Sequence, residues 1–565
     1  MKKFFALMSA ALVLFAACQP KEDPKVSFML TNDNVEVAGL TADYLVVVDA
    51  ANYTAAIEIA YADKDQLQAL QVNFVGVPSD VTVENFTFDF SNGATKEVTV
   101  SQNGATDTYV FSATVAKPEP KFVTLSLATT RVGEDENGEE ITVLGEPVAV
   151  AGGTAKFKGS DNLAKLAVIY TVSPANAKVY ANVDGEEVEV ANEAVLDFSD
   201  KVNGVDLVVK CEGESFTQNV KIVTTGFSKI ERVWGKYNKA SSVEANWYAD
   251  QEGLPFTTQV NNFRNIAADA DYIYLPNTGT NLVYAFDLMT GEYVKTLATD
   301  VEGAHVVSQP AQWKCCDAEV IPAGNSTKLL VSTAALSATH YLTIYAYDNA
   351  DAAPVKVLEY CPGVDCRYGD KFSVSGTWED GEIIYFDQKK KNPVLCFEIK
   401  NGVVSQEPIE FTGIDVEDAS YSGVYKYSDT EYLWAGNNQT SKFVTYTRSG
   451  NAFTAGLVGD GAKFPTILDP YFISFNDQNY MVYYRLFSAG IRVQELNGAT
   501  LLESMTGIDT TTDKQLFLGG PDAETLPTES IPNSMGGCAV VEVDGETYVA
   551  AIAPSAGMSL FKLVK

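Results

Sequence analysis

The chain has 565 residues, of which 46% are hydrophobic and 20% charged, so it is long enough for several globular domains. Its formal net charge of −34 argues against nucleic-acid binding and against broad contact with anionic lipid, because both need clustered Lys and Arg. The two histidines, His305 and His340, leave little material for histidine-rich metal sites or Ser-His-Asp chemistry.

Residues 1–18 have the pattern of a secretory signal. Lys2 and Lys3 are followed by an apolar run from Phe4 to Phe15, which at about a dozen residues is too short to span a bilayer. The next residues are small and end in Cys18. Phe15–Cys18 resembles the lipobox of bacterial lipoproteins, which implies that 1–18 is a signal peptide and that Cys18 carries lipid.

A polar tether, residues 19–24, follows Cys18 and contains the acidic pair Glu22 and Asp23. It resembles the short acidic tag of lipoproteins that Bacteroidota export to the cell surface. The resemblance implies an outer-membrane protein that is exposed at the cell surface and touches the membrane through its lipid anchor only. The competing interpretation is a solvated tether on the periplasmic face.

Two immunoglobulin-like β-sandwiches are predicted next, at 25–117 and 121–226. Short segments alternate apolar and polar residues, as in Thr108–Val115, and turn residues recur every eight to twelve positions. Ala116–Pro120 contains two prolines that stiffen the chain between the two domains. Hairpin turns such as Asn137-Gly138 favour antiparallel strands in the second domain.

Residues 227–565 contain a loose repeat with a spacing of roughly fifty residues, each copy having a strand, a polar turn and a second strand. Leu282–Val294 resembles the outer hairpin of β-propeller blades, in which a strand ending in Asp turns through Thr-Gly. Repeats of this length that contain only strands predict a β-propeller of about six blades. Ile230–Trp234 could supply the strand that closes the ring. The alternative is a further set of sandwiches; in either case the fold class is all-β.

Aromatic residues are the strongest candidates for ligand binding, because sugar rings stack their CH faces on flat aromatic rings. The candidates are Trp247, Trp313, Trp378, Trp434 and Tyr471. The competing interpretation for each is packing between sheets. P-loop, Rossmann and Gly-x-Ser-x-Gly motifs are absent from the sequence.

Cys361 and Cys366 flank a Pro-Gly turn, which makes them candidates for a small-loop disulfide outside the cytoplasm. No metal site is predicted there, because no His or further Cys lies close by in sequence. No cofactor is predicted; the acidic composition is compatible with calcium without indicating it strongly.

The plan of the chain is similar to that of the surface glycan-binding lipoproteins that accompany glycan importers of the starch-utilisation type. The resemblance implies a non-catalytic protein that binds an extracellular glycan for uptake, with the importer as a partner. One alternative is a propeller glycosidase or lyase with two carboxylates roughly 5 to 9 Å apart, although the sequence does not identify the pair. The other alternative is a protein-interaction or adhesion module.

Overall fold

The computed structural model consists of 60% strand and 4% helix, which confirms the prediction of an all-β chain. It describes residues 27–183, 185–237, 262–299, 311, 313–416, 419–437, 441–460, 466–485, 490–506, 518–519, 536–553 and 557–565. Within these ranges no helix is both long enough and apolar enough to cross a membrane. The predicted signal peptide, Cys18 and the tether all lie outside the described residues.

Contacts divide the chain into two compact units. The first unit comprises the residues up to Ala155 together with Asn162–Ile222, and the second comprises Lys156–Asp161 and the residues from Val223 onward. This division does not test the finer predicted boundaries at 117 and 121, which stay predictions.

The first unit has two 3-10 helices, Asn32–Asn34 and Tyr61–Ala69. Its strands are β1 Val35–Ala38, β2 Tyr44–Asp49, β3 Thr54–Ile59, β4 Leu70–Phe74, β5 Val81–Thr82, β6 Phe86–Phe88, β7 Lys96–Gln102, β8 Ala105–Val115, β9 Lys121–Glu134, β10 Glu140–Leu144, β11 Val148–Ala149, β12 Thr154–Lys158, β13 Leu166–Ser173, β14 Lys178–Val183, β15 Glu186–Glu189, β16 Val195–Leu196, β17 Val205–Cys211 and β18 Glu214–Thr225. They form sheets of order β1-β4-β6, β2-β3-β8-β7-β5, β10-β9-β13-β16 with β11 beside β9, and β12-β18-β17-β14-β15.

Alternating burial explains how these sheets pack. In β3 the side chains of Ala55, Ile57 and Ile59 are buried and those between them are exposed. Ile57 shares one hydrophobic core with Val35 and Val37 of the neighbouring sheet. Strands with this alternation have one face in a core between two sheets and one face in solvent.

The second unit begins with a strand that pairs with the last strand of the chain. Its strands are β19 Lys229–Tyr237, β20 Ala267–Ala268, β21 Tyr272–Asn277, β22 Leu282–Asp287, β23 Tyr293–Thr296, β24 Trp313–Ala323, β25 Ser326–Ala334, β26 Leu342–Tyr347, β27 Val355–Tyr360, β28 Phe372–Gly376, β29 Asp380–Tyr385, β30 Val394–Lys400, β31 Val403–Val404, β32 Ile409–Phe411, β33 Ser420–Lys426, β34 Glu431–Asn437, β35 Ser441–Ser449, β36 Ala452–Asp460, β37 Ile467–Phe475, β38 Gln478–Arg485, β39 Gly490–Glu495, β40 Leu518–Gly519, β41 Gly537–Val543, β42 Glu546–Ala553 and β43 Gly557–Val564. One short helix, α1, spans Leu501–Thr506.

Six sheets follow one another along this unit. Five keep chain order: β20 to β23, β24 to β27, β28 to β31 with β32 beside β30, β33 to β36, and β37 to β40. The sixth has the order β19-β43-β42-β41, with Ile230 of β19 opposite Leu563 of β43. The start and the end of the unit are thus held in one sheet.

One strand from each of these sheets takes part in a closed cycle of contacts. Strand β20 contacts β24, and the contacts continue through β28, β33, β37 and β41 back to β20. We call these six strands the ring strands. Successive sheets pack face to face, as where Tyr274 and Ala285 share a core with Val331 and Tyr345. All six residues of β26 are therefore buried, in contrast to the alternation in β3.

Candidate functional site

Charged side chains converge on the ring strands. Asp317 and Glu319 lie on β24, Asp469 lies on β37, and Lys371 immediately precedes β28. All four are buried: Lys371 is 1% exposed and Asp317 is 2% exposed. We call this set the buried charged cluster. Because side chains two residues apart on a strand share a face, Asp317 and Glu319 point to the same side of β24.

Hydrogen bonds hold each member of the buried charged cluster in place. Lys371 Nζ donates to Asp469 Oδ2 at 2.5 Å. Asp317 accepts from the backbone N–H of Phe372 at 2.8 Å and from that of Ala318 at 2.9 Å. The remaining carboxyl, Glu319, accepts from the hydroxyl of Tyr471 at 2.9 Å. A single ammonium therefore faces three carboxyl groups, and it forms a direct ion pair with only one of them.

This imbalance keeps protons on the cluster. Burial raises the pKa of Asp317 to about 7, although Lys371 acts to lower it. Burial, and then the charges of Asp317 and Asp469, raise the pKa of Glu319 well above its usual range. Burial alone would lower the pKa of Lys371, but the attraction of Asp469 raises it overall. Because its pKa is about 7, Asp317 can take up and release a proton near neutral pH, which is the property required of a general acid or base.

Backbone irregularities surround the cluster. Strand pairing shifts register between Trp313 and Asp317 and between Leu468 and Tyr471. Asp469, inside the second shift, has a φ of 46°, in the left-handed region that side chains other than Gly rarely occupy. Bulges re-aim side chains, and such conformations persist only where the surroundings enforce them. Here the bulge turns the Asp469 carboxylate toward Lys371.

A second group lies where two ring strands begin. The guanidinium carbon of Arg264 is 4.6 Å from the ring centroid of Trp313, and that of Arg367 is 6.0 Å from it. Both arginines face Asp370: Arg367 Nε donates to its Oδ2, and Arg264 Nη1 lies 4.0 Å from its Oδ1. We call Arg264, Trp313, Arg367 and Asp370 the arginine–tryptophan cluster. Trp313 is half-buried, and Asp370 directly precedes Lys371 in the chain.

Local pairing explains why Arg367 reaches Trp313. Trp313 lies opposite Ala334 in the second sheet, and the next residue, Ala335, exchanges two backbone hydrogen bonds with Tyr368 at 2.9 and 3.0 Å. This bridge fixes the segment that carries Arg367 beside the start of β24. Cation–aromatic stacking of this kind is favourable and leaves guanidinium N–H groups able to bind other acceptors.

Two buried acceptors lie beside the arginine–tryptophan cluster. Asn265 donates through Nδ2 to the carbonyl of Cys316 at 3.0 Å and to that of Asp370 at 3.3 Å. Asn265 Oδ1 and Asp370 Oδ1 have no hydrogen-bond donor among the residues that the structure describes. A buried acceptor without a donor is costly, so water or a ligand hydroxyl would be favourable at this position.

The structure places the other aromatic candidates in different surroundings. Trp434 is fully buried against Phe386, at a centroid distance of 6.1 Å. Trp378 is half-buried after the end of β28, with Lys328 Nζ 5.3 Å from its ring. Tyr471 is half-buried and donates to the buried charged cluster. Trp247 lies outside the described residues.

The two candidate disulfide cysteines are free thiols here. Cys361 Sγ donates to the carbonyl of Ala338 at 3.4 Å, and Cys366 Sγ donates to that of Ala335 at 3.6 Å. Both sulfurs therefore approach one short segment, and their pairing stays a prediction. Across the described ranges, no group of three or more His, Cys, Asp or Glu side chains could hold a metal ion.

Sequence reasoning singled out Trp313 but none of the charged members of either cluster. The available signal was local: Asp317 and Glu319 alternate with apolar residues on a strand, and Asp370-Lys371 precedes another apolar strand. Charged residues on the inward face of such a strand indicate either a buried polar network or a site.

Comparison with known proteins places the chain in no family. No protein-family model matches it, and no curated protein matches it. A solved DUF4623 family protein from Bacteroides eggerthii is 14% identical with a TM-score of 0.44, and the match covers 79% of this chain and 99% of that chain. Hydrazine synthase from Kuenenia stuttgartiensis is 10% identical with a TM-score of 0.30, covering 71% and 95%. AofleA from Arthrobotrys oligospora is 12% identical with a TM-score of 0.34, covering 53% and 82%.

Proposed function

We propose that the chain is a lipid-anchored protein of the bacterial cell surface that binds an extracellular glycan without altering it. In this proposal the first unit is a pair of immunoglobulin-like sandwiches that act as spacers. The second unit is a six-bladed β-propeller. Supporting the propeller are the six successive sheets, the cycle of contacts among the ring strands, and the pairing of β19 with β43 that joins the ends of the unit.

The observation that carries the binding role is the setting of Trp313. Its half-buried ring lies at a strand end, with two arginines within 6.0 Å of its centroid and two buried acceptors nearby. A sugar needs an aromatic surface for its ring together with donors and acceptors for its hydroxyls, and this cluster combines all three. Trp434, by contrast, is enclosed in a core and offers no surface to a ligand.

Affinity gel electrophoresis of residues 19–565 against a broad polysaccharide panel tests this role. We expect retardation by at least one polysaccharide, and we expect Trp313→Ala to weaken it about tenfold or more, as for a central aromatic contact. Trp378→Ala is the matched control, since Trp378 is also half-buried and also stacks with a cation. Absence of binding to every polysaccharide, or loss through Trp378→Ala alone, would contradict the proposal.

A second candidate function is glycoside cleavage, which the buried charged cluster favours. Burial raises the pKa of Asp317 to about 7 and raises that of Glu319 well above its usual range, so two carboxyls with raised pKa values lie on one strand face. Product release from the same polysaccharides, abolished by Asp317→Asn in a folded protein, would establish it. Binding without product release would instead support the non-catalytic role.

A further inference from the structure

We propose that the glycan is anionic, carrying carboxylate or sulfate groups, and that a basic surface beside Trp313 selects it. This surface consists of the arginine–tryptophan cluster and the lysine run Lys389–Lys391. The inference rests on the proposed glycan-binding function and specifies its ligand class. It is carried by the position of the run, by the way the two groups are joined, and by the pairs of cations that share one carboxylate in each group.

The lysine run is exceptional in this sequence. The chain has a net charge of −34 and 40 basic residues in total, and Lys389–Lys391 is its only run of three basic residues. It lies between β29 and β30, in the third sheet of the second unit. A positive run in so acidic a protein marks a surface that attracts anions where the rest of the surface repels them.

One buried carboxylate joins the run to the arginine–tryptophan cluster. Asp387 Oδ1 accepts from the backbone N–H groups of Arg367 at 2.9 Å, Lys389 at 3.0 Å and Lys390 at 3.2 Å. The N–H of Gln388 donates back to the carbonyl of Arg367 at 2.9 Å. Since Asp387 is fully buried, this anchor is shielded from water and fixes the two segments side by side.

Pairs of cations share a single carboxylate at both ends of this surface. Lys389 and Lys390 share the carboxylate of Asp365, each at 3.6 Å, and both lysine side chains are 49% exposed. In the arginine–tryptophan cluster two guanidinium groups likewise share one carboxylate. Lys391 is paired with Asp415. At each end of the surface one carboxylate therefore faces two cations.

This arrangement fits an anionic sugar better than a neutral one. Guanidinium groups bind carboxylate and sulfate oxygens through two parallel N–H donors, and ammonium groups add attraction over a longer range. The ring of Trp313 can receive the sugar ring at the same place. A neutral polysaccharide would use the aromatic surface but would gain nothing from the lysines.

The test compares polygalacturonate, chondroitin sulfate and neutral amylopectin as probes for the 19–565 chain in affinity gels. We expect binding to at least one anionic probe and little to amylopectin. The double variant Lys389→Ala, Lys390→Ala should weaken anionic binding about tenfold, and added salt should weaken it further. The lysines are exposed and outside the core, so the variant keeps the fold.

The matched control is the double variant Lys356→Ala, Lys400→Ala. These lysines are also exposed, each has a carboxylate partner, and they lie on β27 and β30 of the second and third sheets. We expect this variant to bind as the unmodified chain does. An equal loss in the control would show a general effect of charge and would overturn the assignment of the site.

The remaining outcomes separate this inference from the function on which it rests. Binding to polygalacturonate but not to chondroitin sulfate would identify carboxylated sugars as the ligand class. Chondroitin sulfate also carries carboxylates, so binding to it but not to polygalacturonate would show that sulfate is required. Both outcomes support the inference. Equal or stronger binding to amylopectin overturns it and leaves glycan binding in place. No binding to any polysaccharide overturns both proposals. Anionic binding that the Lys389, Lys390 variant leaves unchanged also overturns the inference.

Discussion

Two buried aspartates, one in each unit, show how surroundings decide the state of a carboxyl group. Asp63 of the first unit is 5% exposed and accepts from the N–H and hydroxyl of Thr41 and from the N–H of Ala42. Burial acts to raise the pKa of Asp63, but these donors lower it overall. Asp317 of the second unit also accepts from two backbone N–H groups, but it lies much deeper and beside Asp469, and burial raises its pKa to about 7. The donors of a carboxylate keep it charged only where its burial is shallow enough for them to prevail.

The difference follows from the architecture of the two units. In the first unit each strand has a solvent-facing side for its charges, and Asp63 is the only charged side chain that is buried among the described residues there. In the second unit the sheets pack on both faces and the ring strands face one another. Charges buried between these sheets must pair or hold protons. The buried charged side chains that the structure describes in the second unit include Asp317, Glu319, Asp370, Lys371, Glu382, Asp387, Asp469 and Arg492.

The largest expected effect is that of removing the only ammonium of the buried charged cluster. Lys371→Met leaves three buried carboxyls without a cation, so we expect the free energy of unfolding of the second unit to fall by about 3–5 kcal/mol. All five tryptophans lie beyond Val223, so urea unfolding followed by tryptophan fluorescence reports on this unit alone. If the unfolding free energy fell no more than it does when an exposed lysine is replaced, water would have access to the cluster.

The second expected effect is that the stability of the second unit depends on pH. The pKa of Asp317 rises from 3.8 in the unfolded chain to about 7 in the fold. The folded state therefore binds the extra proton between these values, and the free energy of unfolding should fall as pH rises from about 4 to about 7 and then level off. The full shift corresponds to up to about 4 kcal/mol.

Asp317→Asn isolates this contribution, because an amide does not titrate. The variant also loses one acceptor for the backbone N–H of Ala318 or Phe372, and this loss of stability does not depend on pH. The difference in unfolding free energy between the unmodified chain and Asp317→Asn should therefore vary with pH over this range. Two parallel profiles would contradict the raised pKa.

The sequence predicts the strands of both units well, because alternation and turn residues are local signals. The buried charged cluster is a different case. Lys371 and Asp469 are 98 positions apart, and no local pattern links them. Asp317 looks like any of 74 acidic residues until the ring strands meet and exclude water from it. The left-handed φ of Asp469, which aims its carboxylate, is likewise imposed by tertiary contacts rather than by residue type.

A smaller effect is expected for Asp63 in the first unit, where the stability should depend on pH in the opposite direction. Because the pKa of Asp63 is lowered, its stabilisation is present above about pH 4 and is lost as pH falls through the folded value. Asp63→Asn should destabilise the first unit by about 1–3 kcal/mol at neutral pH, since an amide cannot accept from all three donors. Faster hydrogen exchange of the β2 and β3 backbone amides would report this loss of stability.

Asp49→Asn is the matched control in the same unit. Asp49 also accepts backbone N–H groups, from Ala51 at 3.1 Å and Asn52 at 3.2 Å, but it is exposed and water can replace its contacts. We expect no measurable change in the hydrogen exchange of the β2 and β3 backbone amides. If Asp49→Asn and Asp63→Asn had equal effects, burial of the acceptor would not matter in this unit.

The smallest effect is expected for the exposed pair of Lys400 and Asp380 in the second unit. Their side chains are 60% and 74% exposed, so water screens their attraction and ordering two long side chains opposes it. Lys400→Met should leave the urea midpoint of tryptophan fluorescence unchanged, whereas Lys371→Met shifts it strongly. The two variants make the same chemical change in the same unit and differ in the burial of the lysine. A comparable shift in both would mean that the ring strands do not exclude water, and the contrast between the two units would then lose its physical basis.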